Sequence, residues 1–222
     1  MSRRLEPWSD RRIIEPWKTA AHLSRNVFFM LASESLTIEQ FLSLLQQGER
    51  WIELHAGRLI RHEPPDDAHG NVVRNVGRAL AKHLRKHPEL APCFELGLVV
   101  SRSPASVWCP AISGFRLAES FAETDQLITE TVPSLVIEVA STNDRRRGLA
   151  ERVRQYQAWG VPAVWVFDPS AREVHVFGAS EPPQRFRDHE TLVDAAQLPG
   201  FALRVADAFA DPKWLPKLAS DS

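Results

Sequence analysis

Residues 135–169 read LVIEVASTNDRRRGLAERVRQYQAWGVPAVWVFDP, and the architecture of the chain follows from how that stretch folds. Leu135 to Ser141 is an apolar, β-branched run of the length of a buried strand, broken by a single carboxylate, Glu138. An unpaired carboxylate in such a place is costly, so Glu138 must be partnered, protonated or metal-bound. An arginine-rich segment follows at Asp144 to Arg147, then an amphipathic helix at Leu149 to Trp159, then a second apolar strand that runs to Asp168 and Pro169. Strand, helix and strand in this order make a parallel crossover, for which the right-handed form is expected.

Upstream, Thr37 with Gln40 three residues on forms a capping box for a helix ending near Gly48, and Leu36 is placed to staple to Phe41. WIELHAGRLIRHE reads as a hairpin turning at Ala56-Gly57, with Trp51, Glu53 and His55 on one face and Ile52 and Leu54 on the other. The loop EPPDDAH leads into a helix over GNVVRNVGRALAKHLRKH. There Val72, Val73, Val76, Leu80 and Leu84 form an apolar stripe opposite Arg74, Arg78, Lys82 and Arg85. Single strands are expected over Cys93–Ser101 and Val107–Leu117, another at Glu173–Gly178, and a closing segment LPGFALRVADAF. The layout is α/β, with a central mixed β-sheet flanked by helices.

Composition narrows the function classes. The 222 residues are 44% hydrophobic and 25% charged, enough for one good core. We read residues 1–35 as an extension carrying two Glu-Pro-Trp copies, 36–210 as one domain and 211–222 as a tail. The formal charge of -1 gives no global attraction to polyanions, so a nucleic-acid surface has to come from local clusters. Cys93 and Cys109 have no zinc-ligand spacing and provide no disulfide framework. With no apolar run long enough to span a membrane and no signal-like N-terminus, a soluble cytoplasmic protein is expected.

Six segments in order, WIELHAGRLI, the PPDDAH-to-helix junction, LVIEVAS, the helix holding Tyr156, GVPAVWVFDP and LPGFALRVADAF, make the chain resemble the Uma-type family of endonuclease-like proteins in the PD-(D/E)XK nuclease superfamily. The resemblance covers roughly Leu36 to Phe209. It implies a restriction-endonuclease-like core and phosphodiester hydrolysis of nucleic acid, DNA by preference, at carboxylates that hold Mg²⁺ or Mn²⁺. By the same analogy a homodimer is expected. The family's carboxylate positions fall on Glu53 and Glu138, which would be the metal ligands, and its helix histidine falls on His69.

Three positions depart from that pattern. The family's aspartate after Pro110 is Ala111, its helix lysine is Arg152, and the acidic residue before the tryptophan strand is Ala163. A methyl group cannot ligate Mg²⁺, and a guanidinium stays protonated and cannot act as a base. The catalytic set expected from the resemblance is therefore Glu53, Glu138, Arg152 and His69, in a degenerate centre. Glu95, Asp66 and Asp67 are candidates to replace the missing carboxylate. Glu138 has two readings, a residual metal ligand or a buried ion pair with Arg152. For the polyanion, the candidate contacts are Arg74, Arg78 and Lys82 on the helix and Arg145, Arg146 and Arg147 in the loop. A non-cleaving nucleic-acid-binding protein and a protein-interaction module on the same fold are the alternatives to an endonuclease.

Overall fold

The computed structural model describes residues 35–117, 125–179, 182–194 and 196–212. The N-terminal extension therefore lies outside the described residues except for Ser35, as does most of the C-terminal tail. The first helix, α1 (Ile38–Gln46), starts at the expected capping box: the Thr37 side chain accepts the Gln40 N–H, and the Gln40 side chain accepts the Thr37 N–H. Leu36 packs in the same small core as the fully buried Phe41. Strands β1 (Ile52–His55) and β2 (Arg58–Arg61) pair around Ala56 and Gly57, both at positive φ (48° and 77°), the requirement of a two-residue primed turn. Trp51 does not share the alternation of Glu53 and His55: it precedes the strand and has φ 52°.

The helix α2 (Asp67–Leu84) begins three residues before the expected Gly70, because Asp66 caps it through the His69 N–H. Its stripe of Val72, Val76 and Leu80 is buried. The two long strands expected over 93–101 and 107–117 are instead four: β3 (Leu90–Phe94), β4 (Gly97–Arg102), β5 (Ala105–Trp108) and β6 (Ile112–Arg116). β3 pairs with β6 and β4 with β5, so residues 90–116 form one long hairpin bent at its middle. The bend follows from Glu95, whose φ of 52° interrupts the first arm, and from Pro110, which has no N–H for a ladder in the second. Each arm consequently runs through two sheets.

One sheet has the order β2-β1-β5-β4-β7, with β7 at Ile128–Thr129. The other contains β8 (Leu135–Val139), β9 (Ala163–Asp168), β10 (Glu173–Gly178) and β11 (Gln184–Arg187), in the order β11-β10-β9-β8-β6-β3. Between β8 and β9 come α3 (Asn143–Arg146) and α4 (Leu149–Trp159), and β8 and β9 are parallel, as the crossover reading requires. A hairpin of β12 (Thr191–Asp194) and β13 (Leu198–Arg204) and the short α5 (Val205–Ala208) close the fold against α2. The expected mixed sheet is present, with a second sheet beside it.

Alternation along β8 decides where the carboxylate goes. Leu135, Ile137 and Val139 join Trp165 and Phe167 in the core beneath α2. Val136 and Ala140 join Leu149, Val153 and Tyr156 beneath α4. Glu138 shares the second parity and therefore faces α4. Both cysteines are free, and among the described residues no helix is long and apolar enough to cross a membrane.

Candidate active site

Arg152 lies in the first turn of α4 and Tyr156 one turn later, so both side chains reach Glu138 on β8. The Arg152 guanidinium donates through Nη1 to both Glu138 oxygens at 3.2 and 3.3 Å, and the Tyr156 hydroxyl donates to Oε1 at 2.9 Å. Through Nη2 the same guanidinium donates at 2.7 Å to Glu53, which β1 brings in from the other sheet. All three charged side chains are nearly inaccessible: 6% for Arg152, 3% for Glu53 and 7% for Glu138. One buried cation thus bridges two carboxylates and two sheets. Trp108 lies beneath it, with the guanidinium carbon 4.7 Å from the ring centroid, and its indole N–H is held by Gln155 from α4.

Glu53 accepts two further bonds. His62 Nε2 lies 2.6 Å from Oε2, and the Cys109 backbone N–H donates to Oε1 at 2.9 Å. Cys109 has that N–H to give because the hairpin bends next to Pro110, so the bend that splits the strand also builds the site. Burial opposes ionisation of Glu53, but Arg152, His62 and the Cys109 amide together outweigh it and hold the carboxyl below its usual range. For Arg152, burial opposes the charge as well, and Glu53 and Glu138 more than restore it. Burial, reinforced by Glu138, pushes the Tyr156 hydroxyl well above its ordinary value, so it remains a donor.

In front of this cluster is a cavity of about 70 Å³ whose lining includes Trp51, Glu53, His62, His69, Glu95 and Ala111. Arg50 and Arg145 also line it. The structure thus brings Glu53, Glu138 and Arg152 together and places His69 on the cavity that Glu53 lines. His69 is 5% exposed; burial, followed by the Arg145 charge, lowers its pKa to about 4, and its Nδ1 has no hydrogen-bond partner among the described residues. The imidazole is therefore neutral at pH 7.

The remaining expected residues are more dispersed. Asp66 caps α2 and Asp67 opens it, both exposed, while Glu95 is exposed at the cavity rim. Arg145 donates to the Glu63 carbonyl at 3.3 Å and Arg147 is exposed. Arg145 is thus one of three arginines expected to meet a polyanion that are engaged within the chain. Arg146 pairs with Asp168 and bonds Ser170, both at 2.8 Å, and Arg74 donates to the Ala210 carbonyl at 2.9 Å. Arg78 and Lys82 remain exposed on α2.

The divalent-metal reading does not fit these residues. The guanidinium lies between Glu53 and Glu138, the third position is Ala111, and among the described residues no group of three or more His, Cys, Asp or Glu could hold a metal ion. Sequence reasoning gave no role to His62, Trp108 or the Cys109 amide. His62 had a signal: hairpin register opposes Glu53 to Ile60, so His62 falls on the same face one step along. The other two depend on the bend, which the alternating pattern conceals.

A family model described as "Uma2: Putative restriction endonuclease" matches residues 38–206. The chain is also similar to a solved structure from Anabaena variabilis ATCC 29413, described as a putative nuclease belonging to DUF820. The TM-score is 0.66 at 17% identity, covering 78% of this chain and 97% of that one. At that identity the likeness establishes the fold alone. No curated protein matches.

Proposed function

We infer the function from the premise that this chain belongs to the Uma2 family, whose model is described as a putative restriction endonuclease. On that fold the protein binds nucleic acid without metal-dependent hydrolysis, because its carboxylate centre has become a closed ion-pair cluster. The observation that carries this reading is the Arg152 guanidinium, bonded to Glu53 at 2.7 Å and to Glu138 at 3.2 Å. A fixed cation there supplies the charge balance that Mg²⁺ or Mn²⁺ would otherwise supply. It cannot polarise a phosphate by coordination, lower the pKa of a bound water or accept a proton.

The chain's own groups account for what remains. Tyr156, His62 and the Cys109 amide hold the two carboxylates and Trp108 lies against the guanidinium, so all four carboxylate oxygens accept a hydrogen bond, while the buried Arg152 Nε has no partner among the described residues. Exposed Arg78, Lys82 and Arg147, with Arg145 and Arg50 at the cavity, supply phosphate contacts whose strength falls with salt.

The decisive test compares plasmid and single-strand cleavage, with Mg²⁺ and with Mn²⁺, for the unmodified chain and for Ala111→Asp with Arg152→Lys. The unmodified chain binds without cutting, and the double variant gains metal-dependent cleavage. Ready Mg²⁺-dependent turnover by the unmodified chain would overturn the proposal.

A further inference from the structure

The cavity rim carries a residue that the buried cluster does not use. Trp51 lines the cavity with Arg50, Arg145, His69 and Glu95 and is 43% exposed. Its φ of 52° lies in the left-handed region, where a bulky side chain is strained by roughly 1–2 kcal/mol. The conformation is held by the base of the hairpin, where the Trp51 carbonyl accepts the His62 N–H at 2.8 Å. Glycine would make the same turn without strain, so an indole here gives up backbone energy and leaves a large ring facing solvent.

Its surroundings point to a ligand. The Glu53 charge is taken up by Arg152; the cavity is lined further by Glu95, by Arg50, which donates to the Leu45 and Glu49 carbonyls, and by Arg145, which donates to the Glu63 carbonyl. His69 lines the same cavity and is 5% exposed, and its Nδ1 has no hydrogen-bond partner among the described residues, a buried polar atom on the cavity wall to which an incoming group can bond. A base is placed against the exposed part of the indole, beside the cavity.

Resting on the nucleic-acid reading above, we propose that Trp51 is a stacking platform for an unpaired base, with Arg50 and Arg145 on the neighbouring phosphates, so that the preferred partner is a single strand. Within a duplex the base faces are already stacked on each other, whereas a single strand presents them to an aromatic side chain at no unpairing cost. Arginine charge gives affinity to either form; Trp51 distinguishes them.

Fluorescence anisotropy tests this with a labelled oligothymidylate of about 20 nucleotides and a duplex of the same length. The chain binds the single strand more tightly. Trp51→Ala weakens that binding about tenfold or more, the effect of losing one base–aromatic stack, and leaves duplex binding unchanged, while Trp51→Phe keeps most of the affinity. Trp51→Gly loses the single-strand preference with a thermal midpoint equal to or above that of the unmodified chain, which separates lost stacking from lost folding. Equal weakening of both probes, or unchanged single-strand binding in Trp51→Ala, overturns the stacking proposal and leaves nucleic-acid binding standing. If neither probe binds the unmodified chain at low salt, the underlying functional reading fails, and this proposal with it.

Discussion

Replacing Arg152 by methionine keeps most of the side chain's volume and removes its charge, leaving Glu53 and Glu138 buried together with no cation between them. The bonds at 2.7 Å to Glu53 and at 3.2 and 3.3 Å to Glu138 are lost, while Tyr156, His62 and the Cys109 amide stay in place. Breaking a buried pair by removing one partner destabilises by about 3–5 kcal/mol, and roughly 4 kcal/mol per charge pair is what an effective dielectric near 20 gives at this range. For a chain of this size that corresponds to a fall in Tm of roughly 6–20 °C. The pH dependence gives the sharper test. Without Arg152 the burial of Glu53 is no longer offset by its largest opposing charge, so the variant's deficit is largest near neutrality and shrinks as falling pH protonates that carboxyl in the folded state. In the unmodified chain the sign is opposite: Glu53 is held below its reference of 4.5, and its contribution is lost as pH falls through the folded pKa. Urea unfolding of both proteins at several pH values between about 7.5 and 5 measures the difference. A deficit under about 1 kcal/mol, or one independent of pH, would refute the argument that this guanidinium compensates both carboxylates.

Two other perturbations follow from local geometry. His69 has a folded pKa of about 4 against a reference of 6.5, so the unfolded chain binds the extra proton between those values and stability falls as pH drops through that window; the full shift is worth about 3 kcal/mol. Replacing His69 by leucine removes that slope, and a chain whose unfolding free energy was flat from pH 6.5 to 4.5 would contradict the burial argument. At Gly97 an added Cβ would lie 2.8 Å from Ile128 Cγ2 and 3.1 Å from both the Leu127 carbonyl and Val107 Cγ1, so Gly97→Ala overpacks the β4–β7 contact and costs about 1–3 kcal/mol by thermal or urea unfolding. A neutral result would mean that β7 is free to shift away.

How far the fold could be read from the sequence depends on which signals are local. The capping box at Thr37, the primed turn at Ala56-Gly57 and the strand–helix–strand unit from Leu135 to Asp168 are each set by residues within a few positions of one another, and each forms as read. The bent hairpin is different. On both sides of Glu95 and Pro110 the apolar pattern continues unbroken, and period two cannot report that a strand has moved from one sheet to another. Pro110 was a visible warning, since a ladder residue without an N–H is tolerated at edges and breaks. The same distinction applies to the site. Glu138 was legible as a buried carboxylate in need of a partner, and Arg152, fourteen residues on at the start of the next helix, was one of the two partners the sequence offered, a metal ion being the other. Glu53 joins them from another sheet, and that meeting follows from the bend: the break at Pro110 leaves the Cys109 amide outside the ladder, and Glu53 is the group that accepts it. A sequence pattern finds the two ends of such an ion-pair cluster when one crossover unit carries both; the third member, Glu53, which a change of sheet rather than a spacing brings in, was named only through the family resemblance.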